Sequence, residues 1–299
     1  MRYGAHLPLI DFDGTGWTPS TLASYVDTAR DLGYEFITVN DHLTFARPWL
    51  DGFVALASVV DRSGGMRLAT TVSLPVIRGP AALAKAATAL DIVSDGRFVL
   101  GVGPGSSATD YEIAGVDFEN RWVHFDESVH TLRAHLGFAG PADASAVLEP
   151  RPPTGHPPIW IGSWGSDAGL RRVARLGDGW LASAYNTTPE RIAGARVTLE
   201  AALDRRGRDP DGFPCSLASM WTYVTNDAAV RDARLRSLAD MLNRPVDAIE
   251  GRVLVGSPES CAVLLRRHEA AGVDNVFVWP LADDEEQLER VIRDVAPIV

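Results

Sequence analysis

Lysine is all but missing from this chain: Lys85 stands alone among 28 basic residues, so nearly all positive charge is arginine. A composition rich in Ala, Arg, Gly and Asp in place of lysine suits a GC-rich genome. Basic residues are also outnumbered by 39 acidic ones, and the net charge of −11 argues against nucleic acid and against an anionic membrane surface as partners. Long apolar runs are absent too; nothing approaches the roughly eighteen residues that a membrane span requires. Cysteine is scarce. Cys215 and Cys261 fit no metal or redox spacing, and free buried thiols in a reducing compartment are expected. No basic segment followed by an apolar one precedes the first strand, which predicts a cytoplasmic protein.

What is present is a strict alternation. Strand-like runs fall at 2–7, 36–40, 67–76, 98–102, 158–162, 179–183, 216–224 and 275–279, with helical patterns at 18–32, 53–61, 80–94, 119–136, 166–176, 189–206, 258–271 and 285–296. Pro80 opens a helix, Ser166 is a candidate N-cap, and Gly33 and Gly177 lie just past helix ends. Eight βα units in 299 residues predict a single-domain α/β fold, a (β/α)8 TIM barrel, over a doubly wound sheet. Two segments interrupt it. Residues 137–158, rich in Pro, Gly and Ala, predict an irregular excursion after unit four with one short strand near 146–148. Residues 226–251, polar and helical in pattern, predict an insertion after strand seven that is a candidate lid.

Loops after the strands' C-terminal ends form the active site of such barrels, so polar residues there carry the functional information. Strand two runs "EFITV" and then breaks into Asn40, Asp41 and His42. Either Asp41 caps a turn while His42 fills a gap under the next loop, or the pair faces a ligand. His6 ends strand one, as a packed histidine or a pocket residue. Strand three, "TTVSLPVIRGP", offers Thr70, Thr71 and Ser73, with Arg78 beyond them placed to meet an anion. "GVGPGSS" after strand four leaves backbone open at Gly101, Gly103 and Gly105 but is not a dinucleotide fingerprint, because Ser106 replaces its third glycine. "GSWGSDAG" after strand five opens a helix near Ser166, an arrangement that serves equally as an anion site or a tight turn. A metal-dependent hydrolase would need more ligands than His6, Asp41 and His42. The ends of strands five, six and eight supply Ser163, Trp164, Tyr185 and Trp279 instead, so no metal is expected.

Taken in order, "NDH", "TTVSLPVIRGPAALAKAATALDIVSDGRFVLGVGPGS", "FENRW" and "PPIWIGSWG…RRVARLGDGWLAS" resemble the bacterial-luciferase-like flavin and deazaflavin-F420 oxidoreductases across nearly the whole chain. The resemblance implies a barrel with FMN or F420 at its mouth. Carried over, it makes His42 the candidate general base for a substrate proton as hydride leaves, and Asp41 a cofactor or positioning residue. It places Thr71, Val72, Ser73, Gly103, Pro104, Gly105, Ser106, Gly162, Ser163, Trp164, Gly165 and Ser166 around the cofactor. It also implies a non-proline cis peptide between Thr71 and Val72. Sugar-phosphate dehydrogenases of the family have a glutamate where this chain has Ser106, and use lysines for the phosphate. Lys85 lies in a barrel helix, which argues against such a substrate. The Asp-His pair, the composition and the short excursion favour F420 over FMN. An FMN-dependent monooxygenase and a non-catalytic flavin-binding relative are the alternatives. The expected partner is a small organic molecule, with aromatics such as Trp17, Phe45, Trp164, Tyr185, Trp221 and Trp279 near the mouth, and relatives of this kind are commonly homodimers.

Overall fold

The computed structural model describes residues 1–12, 14–138, 147–152 and 155–299. Strands β1 (Arg2–His6), β2 (Phe36–Val39), β3 (Arg67–Thr70), β4 (Phe98–Val102), β5 (Ile159–Gly162), β6 (Gly179–Ser183) and β7 (Cys215–Val224) pair in chain order, all parallel. β8 (Leu254–Gly256) pairs only with the far end of β7, and β9 (Asn275–Pro280) closes the ring by pairing with β7 and β1. An eight-stranded parallel barrel results, as the alternation predicts.

The helices are α1 (Pro19–Asp31), α2 (Gly52–Ala57), α3 (Pro75–Arg78), α4 (Pro80–Val93), α5 (Ala108–Ala114), α6 (Arg121–His135), α7 (Asp167–Leu176), α8 (Pro189–Asp204), α9 (Ala228–Leu242), α10 (Pro258–Ala270) and α11 (Asp284–Arg290). Their starts follow local chemistry. Thr18, Ser166, Thr188 and Ser257 each accept a backbone N–H three residues on, and proline follows the cap in α1, α8 and α10.

Alternation along each strand builds two layers. Phe36, Ala69, Val99, Trp160, Leu181, Ala218 and Phe277 fill the barrel interior. Ile37, Val39, Leu100 and Ile161 point outward into the core beneath the helices. Space inside is tight: a Cβ on Gly4 would lie 2.6 Å from the Phe277 ring, and one on Gly101 only 1.9 Å from the Thr70 carbonyl oxygen. Gly101, read from sequence as backbone left open to a ligand, is instead required by the neighbouring strand. A third cluster caps the mouth, where Leu235, Leu238 and Ala239 of α9 pack on Trp221 and Trp279. Burying each leucine contributes about 1.5–3 kcal/mol.

The structure differs from expectation in four places. The strand expected at 67–76 ends at Thr70, because Pro75 opens the short helix α3. α5 interrupts the loop after β4, held by Ser107 as N-cap and by Gly115 in the left-handed region at φ 67°. β8 follows the expected insertion at 226–251, three residues being too few to show a period. The strand expected near 146–148 falls partly outside the described residues; Val147 and Leu148 are not strand, and the Leu148 N–H donates to His135 O at 3.0 Å.

Candidate active site

The Asn40–Asp41–His42 break follows β2, where the chain leaves the barrel at its C-terminal mouth. The two ionisable residues have separate partners. Asp41 is buried, its carboxylate accepting from Arg78 Nε at 2.6 Å, Arg78 Nη2 at 2.8 Å, and both Ser73 Oγ and the Leu74 N–H at 3.2 Å. Arg78 also pairs with Asp51, which caps α2. Burial alone would lower the Arg78 pKa; the two carboxylates overturn this and hold it above its ordinary value. The clamp ties the β2 end to α2 and α3. Arg78, read from sequence as able to meet an anion, meets these two carboxylates of the chain itself.

His42 keeps 20% of its side chain exposed, and its Nδ1 lies 2.7 Å from Oδ2 of Asp110, which is 1% exposed. The other Asp110 oxygen accepts the Thr44 N–H at 3.0 Å. A carboxylate in that position accepts a proton held on Nδ1, which leaves Nε2 with the lone pair. Trp49 and Phe45 flank the ring at 4.6 and 5.5 Å. Sequence reasoning missed Asp110. Its local signal is the cap pattern Ser107-x-x-Asp110, in which the Asp110 N–H donates to Ser107 Oγ at 3.2 Å.

His42, Thr44 and Phe45 open onto a cavity of about 650 Å³. Ser106 and Thr109 line it from the loop after β4 and the start of α5, and Trp164 and Tyr185 from the loops after β5 and β6. Met241, Leu242 and Arg244, at the end of α9, cover the remaining side. The end of α9 therefore reaches the mouth.

The residues assigned to the cofactor take different places around the mouth. Ser106 and Trp164 line the cavity. Thr71, Val72, Ser73, Gly103 and Gly162 form a packed unit beside it: the peptide between Thr71 and Val72 is cis, the Gly103 N–H donates to Ser73 O at 3.0 Å, and a Cβ on Gly103 or Gly162 would press within 2.8 or 3.1 Å of the Val72 methyls. Pro104 O accepts from the Tyr111 hydroxyl, and Gly105 takes φ 77°. Ser163 Oγ accepts from the Gly165 N–H at 3.2 Å, Gly165 takes φ 89°, and Ser166 Oγ caps α7.

His6 is buried, stacks on Trp279 at 3.7 Å and donates from Nδ1 to Leu7 O at 2.8 Å. Burial pushes its pKa down to about 3, so it is neutral. The indole N–H groups of Trp49, Trp221 and Trp279 are buried without a hydrogen-bond partner among the described residues. Trp221 and Trp279 stack at 4.1 Å, and Trp49 meets Trp279 edge-on at 5.7 Å. An unpaired buried donor costs about 1–3 kcal/mol. The carbonyl oxygens of a flavin-like ring would give such donors acceptors; the indole faces themselves are already taken, since Trp279 stacks on both His6 and Trp221 and meets Trp49 edge-on. Among the described residues no cluster of three His, Cys, Asp or Glu is placed to hold a metal, and no helix is long and apolar enough to cross a membrane.

A family model for luciferase-like monooxygenases matches residues 11–275, and the chain belongs to that family of oxidoreductases. Among curated relatives, an F420-dependent glucose-6-phosphate dehydrogenase of Amycolatopsis mediterranei is 24% identical, covering 93% of this chain and 94% of its own. Of solved structures, monooxygenase RslO1 from Streptomyces bottropensis superposes with a TM-score of 0.82 at 19% identity, over 99% of both chains. An F420-dependent secondary alcohol dehydrogenase, solved with an F420-acetone adduct, gives 0.80 at 17% identity over 100% of this chain and 98% of its own.

Proposed function

We propose that this protein is an F420-dependent oxidoreductase that moves hydride between the deazaflavin and a small organic substrate, with His42 as general base. The observation that carries the reading is the 2.7 Å contact between His42 Nδ1 and Asp110, which leaves Nε2 as the basic atom of an imidazole lining the cavity.

When bound, the deazaflavin supplies a hydride-accepting carbon. Thr71–Ser73, Gly103–Ser106 and Gly162–Ser166 are the residues that would hold it. His42 Nε2 takes the hydroxyl proton as an alcohol is oxidised, and returns it in the reverse direction. Asp110 fixes the tautomer and stabilises the imidazolium that proton transfer creates. Asp41, through Arg78, keeps the His42 loop in place. Phe45 and Trp49 shield the imidazole from bulk water.

A sugar phosphate does not suit this cavity. The one lysine, Lys85, sits on α4 and donates to the Glu149 carbonyl, and Ser106 stands where the sugar-phosphate enzymes of the family carry a glutamate. The likeness to the monooxygenase RslO1, and to a Type II Baeyer-Villiger monooxygenase solved in complex with FMN, supports FMN-dependent oxygenation as the second reading. Incubating the protein with F420 and a panel of small secondary alcohols and ketones, following deazaflavin absorbance, tests the proposal. Turnover with at least one pair is expected. Oxygen consumption with reduced FMN, and no F420 turnover, would favour the second reading.

A further inference from the structure

We propose that Arg244 is an anion subsite of this cavity and that the substrate carries a carboxylate at the end remote from its reacting carbon. The proposal rests on the reading of His42 as the group facing that carbon.

Arg244 is placed by the way α9 stops. Asn243 takes the left-handed conformation at φ 50°, its N–H donates to Asp240 O at 3.1 Å, and the Arg244 N–H reaches back to Ala239 O at 2.9 Å. This double closure is a Schellman stop, and Pro245 immediately after restricts the Arg244 backbone further. The side chain therefore leaves from a defined point on the cavity wall. Its guanidinium lies over the Tyr185 ring at 5.6 Å, and Tyr185 lines the same cavity.

Charge then decides what Arg244 can recognise. Among the described residues no Asp or Glu lines the cavity, and Arg244 is the one permanently charged residue that does. Among the described residues Arg244 has no ion-pair partner, whereas Arg78, on the clamp beside the same mouth, holds two carboxylates. A half-buried cation facing a cavity, in a protein of net charge −11, draws an anion to that wall and not to the surface at large. A single planar fork matches a carboxylate bidentately. A phosphate dianion calls for further cationic donors, and none lines the cavity among the described residues. The same cavity is lined by Phe45, Trp164, Met241 and Leu242 and also by the hydroxyls of Thr44, Ser106, Ser107 and Thr109, so the body that joins carboxylate to reacting carbon meets apolar and aromatic side chains together with hydroxyl groups.

The same anion chemistry also occurs in the phosphate and carboxylates of the cofactor's tail, and the test separates the two sources. Benzoate and benzamide, equal in shape and different in charge, are titrated calorimetrically into the protein without cofactor. Wild type is expected to bind benzoate at least about 10-fold more tightly. Arg244→Ala is expected to remove the difference while leaving benzamide within about 2-fold, and Arg244→Lys to retain part of it. Equal binding of the two probes by wild type, including no binding of either, overturns the proposal; so does a difference that survives in Arg244→Ala. F420 and a tail-less 5-deazariboflavin are titrated into the same proteins. A loss of about 10-fold for F420 alone in Arg244→Ala moves the anion to the cofactor and overturns the substrate assignment. Matching thermal unfolding midpoints show that the variants fold, with Arg244→Gln as the substitute if Arg244→Ala does not. Because the benzoate comparison uses no cofactor, it stands even if the F420 reading fails.

Discussion

His42 Nδ1 lies 2.7 Å from Asp110 Oδ2, although 68 positions separate the two residues in the chain. The contact joins the loop after β2 to the helix that follows β4, and it turns a partly exposed histidine into one with a defined tautomer. If Nε2 is the base, His42→Ala lowers turnover about 10²–10⁴-fold while cofactor affinity changes little. Steady-state kinetics beside a cofactor titration measures both; full activity in the variant contradicts the assigned role.

Asp110→Asn keeps the shape of the pair and removes its charge. The amide can present its N–H₂ to Nδ1, which favours the wrong tautomer. A loss of about 10–10³-fold in kcat is expected, with KM and cofactor affinity nearly unchanged. A change confined to KM would mean that Asp110 acts only through the shape of the pocket.

Two buried histidines predict acid sensitivity. Burial pushes His6 down to about 3 and His268 down to about 4. Unfolded, both protonate near about 6.5; folded, they stay neutral well below that. Unfolding therefore takes up a proton at each, so their contribution to stability is complete above about pH 6.5. It declines by about 1.4 kcal/mol per pH unit per histidine until the folded value is reached. Urea unfolding near about pH 6 and pH 5 is expected to show a shallower decline in His268→Leu than in wild type, by about 1 kcal/mol per pH unit. Equal slopes would contradict a neutral buried His268.

Gly101→Ala tests the packing of the barrel. The new Cβ would sit 1.9 Å from Thr70 O and 2.5 Å from Leu181 Cδ1, and the first of these is backbone in the neighbouring strand. The variant is expected to lose about 3 kcal/mol or more, beyond the usual range for overpacking, or to be insoluble. Denaturant unfolding checks this, and a stability within about 1 kcal/mol of wild type contradicts it.

The barrel was legible because each of its strands is an apolar run bounded by loop residues, and the helices between them carry caps and prolines. Legibility ended where tertiary contact outweighs local pattern. The run 67–76 continues apolar past Thr70, yet Pro75 and the pull of Ser73 and Leu74 toward Asp41 redirect it. β8 exists only because β7 extends far enough to pair with it. At the site, His42 was readable from the abrupt polar break after β2. Its partner Asp110 was not, since one aspartate in a seven-residue helix resembles any other until the fold brings the two loops together. Arg78 was readable as an anion-meeting residue but its partners Asp41 and Asp51 were not, and Arg244 carries no motif at all. Its place at the cavity depends on where α9 stops.

The proposed function stands on a deazaflavin binding at the barrel mouth beside the substrate cavity that His42 lines. Titrating the purified protein separately with F420 and FMN, following fluorescence, tests it most directly. F420 is expected to bind at about 1 μM or tighter, near −8 kcal/mol or better, with FMN weaker. FMN binding equal to or tighter than F420 would contradict it, and would assign the same barrel and the same histidine to a flavin enzyme.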